Sequence, residues 1–358
     1  MDVLTNGILP ERPFLLFGLG DRPKFVFQGG ALRRAPGGEP VHEWARGAEA
    51  VPVPSEGRVE LGGEPIVWED ADGLFWRDGG APMRVAGSGA GLRLPDFAGH
   101  PHAPFLRTLL REILVNVDGG VPLPNFYVYR KPWRRDGAMM AMVLEATGNL
   151  GLLEGWARSL DDPFDRNNWG NEEPDNLGQT LYLLGRLGLG DHPLVARTVA
   201  ESRRRLGPDG ALRGNTDGRP HPAYCGAWLR LGLEACGLDA SWVPVPDGPD
   251  DYGPLFWMRR EWIGPQAAAT AVSYDARYPY LWWAKAHFHR LPVPPERLAP
   301  ASPLTWEQHA SQADYGAIAP LSPAWAAARF SAPHTWHAAE MFLYLRPASR
   351  SAPVSPAS

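Results

Sequence analysis

The sequence predicts a mainly α protein, a stack of αα-hairpins preceded by a small β-rich unit, and three observations lead there. Up to about residue 97, short apolar runs alternate with Gly-Gly, Asp-Gly and Pro-Gly pairs, which is the signature of a small antiparallel unit. From about residue 103 the apolar spacing changes to i, i+3/i+4, the period of a helix with one buried face. Candidate helices of roughly 12–16 residues then follow one another across short Gly- or Pro-marked connections, as antiparallel helix pairs do.

Taken in order, the candidate strands are residues 13–17, 24–28, 51–54, 58–61, 66–69 and 74–76. The helical stripe begins with Phe105, Leu106, Leu109, Leu110, Ile113 and Leu114. It continues through Met139 to Leu144 and, after the Gly148-Asn149 break, through Leu150 to Trp156. Further helices are expected over 176–187, 193–206, 222–238, 279–290, 323–329 and 334–345. Three regions result: a β-rich unit at 1–97, a helical region at 103–346 and a Ser/Pro/Ala-rich, disordered tail at 347–358.

Composition excludes several functions. With 358 residues, 44% hydrophobic and 21% charged, the chain is neither a disordered nor a membrane sequence. Its 35 Lys+Arg against 40 Asp+Glu give a net charge of −5, and its densest basic run, Arg203-Arg204-Arg205, falls at a helix end, so nucleic acid is not an expected partner. Neither Gly18-Leu19-Gly20 nor Gly87-Ser88-Gly89 completes a phosphate-binding loop between a strand and a helix. Cys225 and Cys236 stand eleven apart in one apolar helical stretch, which argues against a disulfide framework and a CxxC metal site. No basic leader and no apolar span of about 20 residues is present. The expectation is a soluble, cytoplasmic chain with no metal, no cofactor and no membrane partner.

The 15 tryptophans fall repeatedly beside charged residues, as in Trp133-Arg134-Arg135-Asp136, Arg260-Glu261-Trp262 and Trp306-Glu307. An aromatic wall with charged groups between its rings suits a polyhydroxylated small molecule. The densest polar segment, 163–179, holds Glu172, Glu173 and Asp175 within four residues. Such carboxyls are either fully solvated or arranged so that one keeps its proton. Pro174 there, and Asp136 after Trp133, also make good helix starts.

Residues 129–149, with Trp133, Arg135-Asp136 and the ending Thr147-Gly148-Asn149, resemble the Trp-x-Arg-Asp helix of six-hairpin glycosidases such as the glucoamylases. The stretch 169–179 resembles the acidic segment that follows in that family, and 333–341 is similar to its closing helix. The resemblance implies an (α/α) hairpin toroid whose inner helix starts line a carbohydrate pocket. About nine or ten helices can be counted where a complete toroid needs twelve, so the implied toroid is incomplete and the member divergent.

On this reading the chain is a metal-independent inverting glycoside hydrolase acting on a small glycoside. Inversion needs a protonated carboxyl and a carboxylate about 6.5–9.5 Å apart. Glu173 is the expected acid, with Glu172 as its substitute, because their repulsion beside Trp169 and Pro174 raises one pKa. Glu340, one helical turn after Trp336, is the expected base. Asp136 and Asp175 would bind sugar hydroxyls, and Trp133, Arg135, Trp169, Asn176, Gln179, Trp336 and His337 would complete the substrate site. Histidines support an alternative, a sugar 2-epimerase or isomerase using His287, His289, His334 or His337 for proton transfer. A non-catalytic sugar-binding scaffold is a third reading. Residues 259–265 and 273–278, rich in aromatic and ionic groups, would supply a lid or subsite wall.

Overall fold

The structure, a computed structural model, describes residues 14–87, 91–244, 252 and 303–346. Among the described residues nine short strands come first. The first four, β1 (Leu15–Phe17), β2 (Phe25–Gln28), β3 (Ala31–Arg34) and β4 (Pro40–Glu43), form an antiparallel sheet in sequential order. The next five, β5 (Val51–Val53), β6 (Arg58–Leu61), β7 (Glu64–Glu69), β8 (Leu74–Trp76) and β9 (Met83–Ala86), form a second antiparallel meander. Alternation explains how the sheets are used. Phe25, Phe27 and Leu32 join Val59, Val67 and Leu74 in a core shared by both sheets. Val26, on the opposite face of β2, joins the core of the helical region instead. The first sheet therefore has both faces covered.

The helices are α1 (Ala103–Leu114), α2 (Arg134–Ala146), α3 (Glu154–Arg158), α4 (Asp175–Arg186), α5 (Pro193–Arg205), α6 (Pro222–Ala235), α7 (Pro323–Ala328) and α8 (Thr335–Leu345). Two strand pairs, β10 (Val117–Asp118) with β11 (Val121–Pro122) and β12 (Glu307–Gln308) with β13 (Phe330–Ser331), are two residues per strand. Helix α8 packs on both α1 and α2, α2 packs on α4, and α4 packs on α5 and most extensively on α6. Glycine explains the last contact. A Cβ at Gly178 would stand 2.2 Å from the Trp228 carbonyl carbon, and one at Gly232 would stand 2.3 Å from the Gly178 oxygen, so the two backbones touch.

The expected mainly α hairpin toroid is not what forms. Among the described residues, eight helices share the fold with thirteen strands in four sheets, an α+β architecture. All six candidate strands are present, but β3, β4 and β9 carry no apolar run: β3 ends in Arg33 and Arg34, and β4 has no buried residue. Their pairing comes from backbone hydrogen bonds to a neighbouring strand, which leaves no mark on the local pattern. The two-residue pairs are too short to have a period. The candidate helix at 150–156 begins instead as a 3-10 turn leading into α3. The candidate helix at 279–290, the stretches 259–265 and 273–278, His287, His289 and the tail 347–358 lie outside the described residues. Among the described residues no helix is long and apolar enough to cross a membrane.

Candidate functional site

The starts of α2, α4 and α8 meet in one polar cluster. Trp133 is extended and α2 begins immediately after it, so Arg135 and Asp136 lie in the first turn. The amide of Arg134 is capped from another segment, by Asp165 Oδ2 at 2.8 Å. Asp136 is therefore not the cap that its position suggests.

Arg135, buried, gathers three carboxylates. Its Nη2 donates to Glu173 Oε2 at 3.1 Å, its Nε to Asp175 Oδ2 at 3.0 Å and its Nη1 to Asp217 Oδ2 at 3.2 Å. Nη1 also meets the Tyr252 hydroxyl at 2.5 Å, and that hydroxyl donates to Asp217. Asn168 donates to Glu173 Oε1 at 2.8 Å and to Asp217 Oδ1 at 3.0 Å, and the Asp217 amide donates to Glu173 Oε1 at 2.6 Å. Asp175 accepts from Gln179 Nε2 at 3.0 Å and from Thr216 Oγ1 at 3.1 Å. Asn176 faces the neighbouring loop, where its Oδ1 accepts from the Asp165 amide at 3.1 Å.

One guanidinium faces three carboxylates, so the charges do not balance, and the ionisations follow from that. Burial pushes Glu173 up to about 7; Arg135 opposes the shift and Asp175 reinforces it. Burial works against the Asp217 charge too, but Arg135 and the Tyr252 hydroxyl outweigh it and hold Asp217 below the usual carboxylate range. Burial likewise disfavours the Arg135 charge, yet its acidic surroundings keep it raised well above its ordinary value. In a neutral solution Arg135 and Asp217 are charged and Glu173 is partly protonated.

Next to Arg135, Asp136 turns toward α8. Its Oδ1 accepts from Thr335 Oγ1 at 3.0 Å and lies 4.0 Å from His334 Nε2, which meets Glu307 Oε2 at 2.9 Å. Burial raises the pKa of Asp136. Burial alone would lower that of His334, but Glu307 and Asp136 hold it above the ordinary imidazole value. The His337 ring lies 4.7 Å from that of His334, tilted by 43°, and its Nδ1 lies 2.9 Å from the Trp306 carbonyl.

Aromatic rings connect the two groups. The Arg135 guanidinium lies 4.8 Å from the Tyr252 ring and 5.8 Å from Trp133, and Tyr252 lies 5.6 Å from Trp336. The buried indole nitrogens of Trp133 and Trp336, and Nδ1 of His334, have no hydrogen-bond partner among the described residues.

Of the residues singled out from sequence, Glu173, Asp175, Gln179, Trp133, Arg135, Asp136, Trp336 and His337 thus come together in this region. Glu340 is buried on α8, one turn beyond Trp336. Glu172 goes elsewhere: its carboxylate is ion-paired with Arg166 at 2.6 Å and with Arg205, which leaves it on the outer side of the loop. Trp169 is 79% exposed and sits in the left-handed region at φ 58°. Sequence reasoning missed Asn168 as an individual ligand, and Thr216, Asp217, Tyr252 and Glu307 altogether. Thr216-Asp217-Gly218 is a turn signal in the sequence, and nothing local shows that this turn faces α4.

Among the described residues there is no group of three or more His, Cys, Asp or Glu side chains placed to hold a metal ion. The chain matches no protein-family model, no curated protein and no solved structure, so the reading of this site rests on its own residues.

Proposed function

We propose that this chain is a carbohydrate-active enzyme, a metal-independent inverting glycoside hydrolase acting on a small glycoside in the cytoplasm. The observation that carries the reading is the pairing, in one aromatic-walled cluster, of carboxylates in excess over cations with indole N–H groups that lack acceptors. Surplus acceptors and surplus donors side by side suit a ligand rich in hydroxyls, and the rings of Trp133, Tyr252 and Trp336 suit the apolar faces of a sugar.

Glu173 is the proton donor in this mechanism, because its pKa near 7 leaves it partly protonated at neutral pH. It gives its proton to the leaving oxygen as the bond from the anomeric carbon to that oxygen breaks. A water attacks the anomeric carbon from the opposite face, and its proton passes to a carboxylate, Glu340 in this reading. Arg135 keeps Asp217 ionised, and Asp175 and Asp217 serve as acceptors for sugar hydroxyls. Glu172, tied to two arginines, has no part in it.

The test is sugar release from a panel of aryl glycosides and short oligosaccharides. Glu173→Gln and Glu340→Gln are each expected to lower kcat by about 100-fold or more, and unchanged turnover in both would end the mechanism. Saturable sugar binding without turnover by the unaltered protein would instead select a non-catalytic binding protein. One observation favours a second reading: His334, with raised pKa beside two carboxylates and an unpartnered Nδ1, suits proton transfer next to a carbonyl. A sugar 2-epimerase of that kind would carry solvent deuterium into C2 of a free sugar, and His334→Ala would stop it.

A further inference from the structure

A concave feature lies away from the Arg135 cluster, between the five-stranded sheet and α1. It is a cleft of about 470 Å³, a size typical of small-ligand sites. Pro65, Trp68 and Leu110 give it apolar lining, and Arg58, Arg107 and Arg111 line it as well.

Carboxylates also reach this cleft, but each is already engaged by the protein. Glu69 accepts from the amides of Gly18 and Leu19 and from Arg22. Glu56 is paired with Arg107 at 2.8 Å. Asp70 is held by the amides of Asp72 and Gly73, and Asp96 by the amide of Ala98. Two of the three arginines are less fully matched. Arg107 uses all three of its nitrogens, on Ser55, Asp96 and Glu56. Arg58 donates only through Nε, to Glu60 at 2.7 Å.

Arg111 meets no carboxylate among the described residues. Its Nη2 donates to the carbonyls of Glu56 at 3.3 Å and Glu69 at 3.1 Å, and its Nε and Nη1 donate to nothing there. Burial disfavours its charge strongly enough to lower its pKa, although Glu69, Glu56 and Asp70 act in the opposite direction. The backbone makes room for this guanidinium: Gly57, at φ 62°, has no side chain, and a Cβ there would stand 2.0 Å from Arg111 Nη1.

We propose that this cleft is a ligand site for a small organic anion, with an apolar body against Trp68, Pro65 and Leu110 and a carboxylate or phosphate head received by Arg111 and Arg58. A guanidinium with unoccupied N–H groups matches such a head group, and the anion would pair directly with a cation that meets only carbonyls among the described residues. The site is independent of the glycosidase reading.

Calorimetric titration of the full chain with phenyl phosphate, benzoate, benzamide and benzamidine tests it. The anions are expected to bind at least about 10-fold more tightly than neutral benzamide, and comparing phosphate with carboxylate identifies the preferred head. Arg111→Met is expected to remove that preference while benzamide binding stays the same. If Arg111→Met does not fold, Arg58→Met decides, since Arg58 is half-buried and its side chain makes one hydrogen bond among the described residues. Glu173→Gln should bind all four probes as the unaltered protein does. Preference for benzamidine, no discrimination by charge, or full anion binding in the arginine variants would overturn the proposal.

Discussion

Glu173 keeps its proton to higher pH in the folded protein than in the unfolded chain, because burial disfavours its charge more than Arg135 favours it. The sign of the pH dependence follows. The stabilising contribution of the protonated form is complete below the ordinary value of 4.5 and is lost as pH rises through about 7. Urea denaturation is therefore expected to show the unaltered protein losing stability relative to Glu173→Gln between those pH values. A difference that stays flat across the window would mean that Glu173 is ionised throughout. Arg135 has the opposite role, as the shared cation. Arg135→Met takes the shared cation away from the buried carboxyls of Glu173 and Asp175 and from the partly exposed Asp217, and is expected to cost about 3–5 kcal/mol of unfolding free energy, read from the same denaturation curves. The chemistry of these residues was visible in the sequence as a crowding of carboxyls beside an aromatic-Arg-Asp motif. Which carboxyl is buried was not, because Glu172 and Glu173 are neighbours with the same side chain. Only the positions of Arg166 and Arg205 draw Glu172 outward.

At the scale of elements, α4 and α6 are held together by backbone contact. Gly178 and Gly232 give their helices less intrinsic propensity than alanine would, yet a Cβ at Gly178 would collide with the backbone of Trp228 and Leu229. Gly178→Ala is therefore expected to destabilise the protein by about 1–3 kcal/mol or more, despite alanine's better helix propensity. Thermal unfolding measures this, and a rise in Tm would show that the two helices can separate at little cost. The helices that fall within the described residues were legible where apolar residues recur at the helical period, as in α1, although α2, α4 and α8 turn out to be buried on nearly every side. The strands β3, β4 and β9 were not, because strand pairing is a property of two segments and their own residues are too polar to form an alternating apolar pattern.

For the whole molecule, the joint between the β unit and the helical region combines apolar contacts of Phe14, Leu19 and Val26 with one buried cation. Lys24 Nζ donates to the carbonyls of Gly18, Gly20 and Val117 at 2.6, 2.6 and 2.5 Å. Burial lowers its pKa to about 8, against the pull of Asp118 and Glu69. Glu69, at the end of β7, binds the amides of Gly18 and Leu19 from the other side. Lys24→Met would leave three buried carbonyls without this donor and is expected to cost about 1–3 kcal/mol. Calorimetry would show a lowered Tm, and an unchanged Tm would mean that apolar contacts such as Phe14 against Trp325, 5.1 Å apart, hold the joint alone.

By itself the sequence determined the local periods, the turns between them, and the concentration of carboxyl, indole and amide groups at the starts of α2, α4 and α8. These are properties of residues within a few positions of one another, where sterics and one-sided burial act directly. The tertiary structure decided the α+β architecture in place of a helical toroid, and it brought Asp217 and Tyr252 to Arg135 and Glu307 to His334. The physical reason is range: backbone pairing, desolvation and ion pairing depend on partners dozens to hundreds of residues away, and only the folded chain puts those partners within reach.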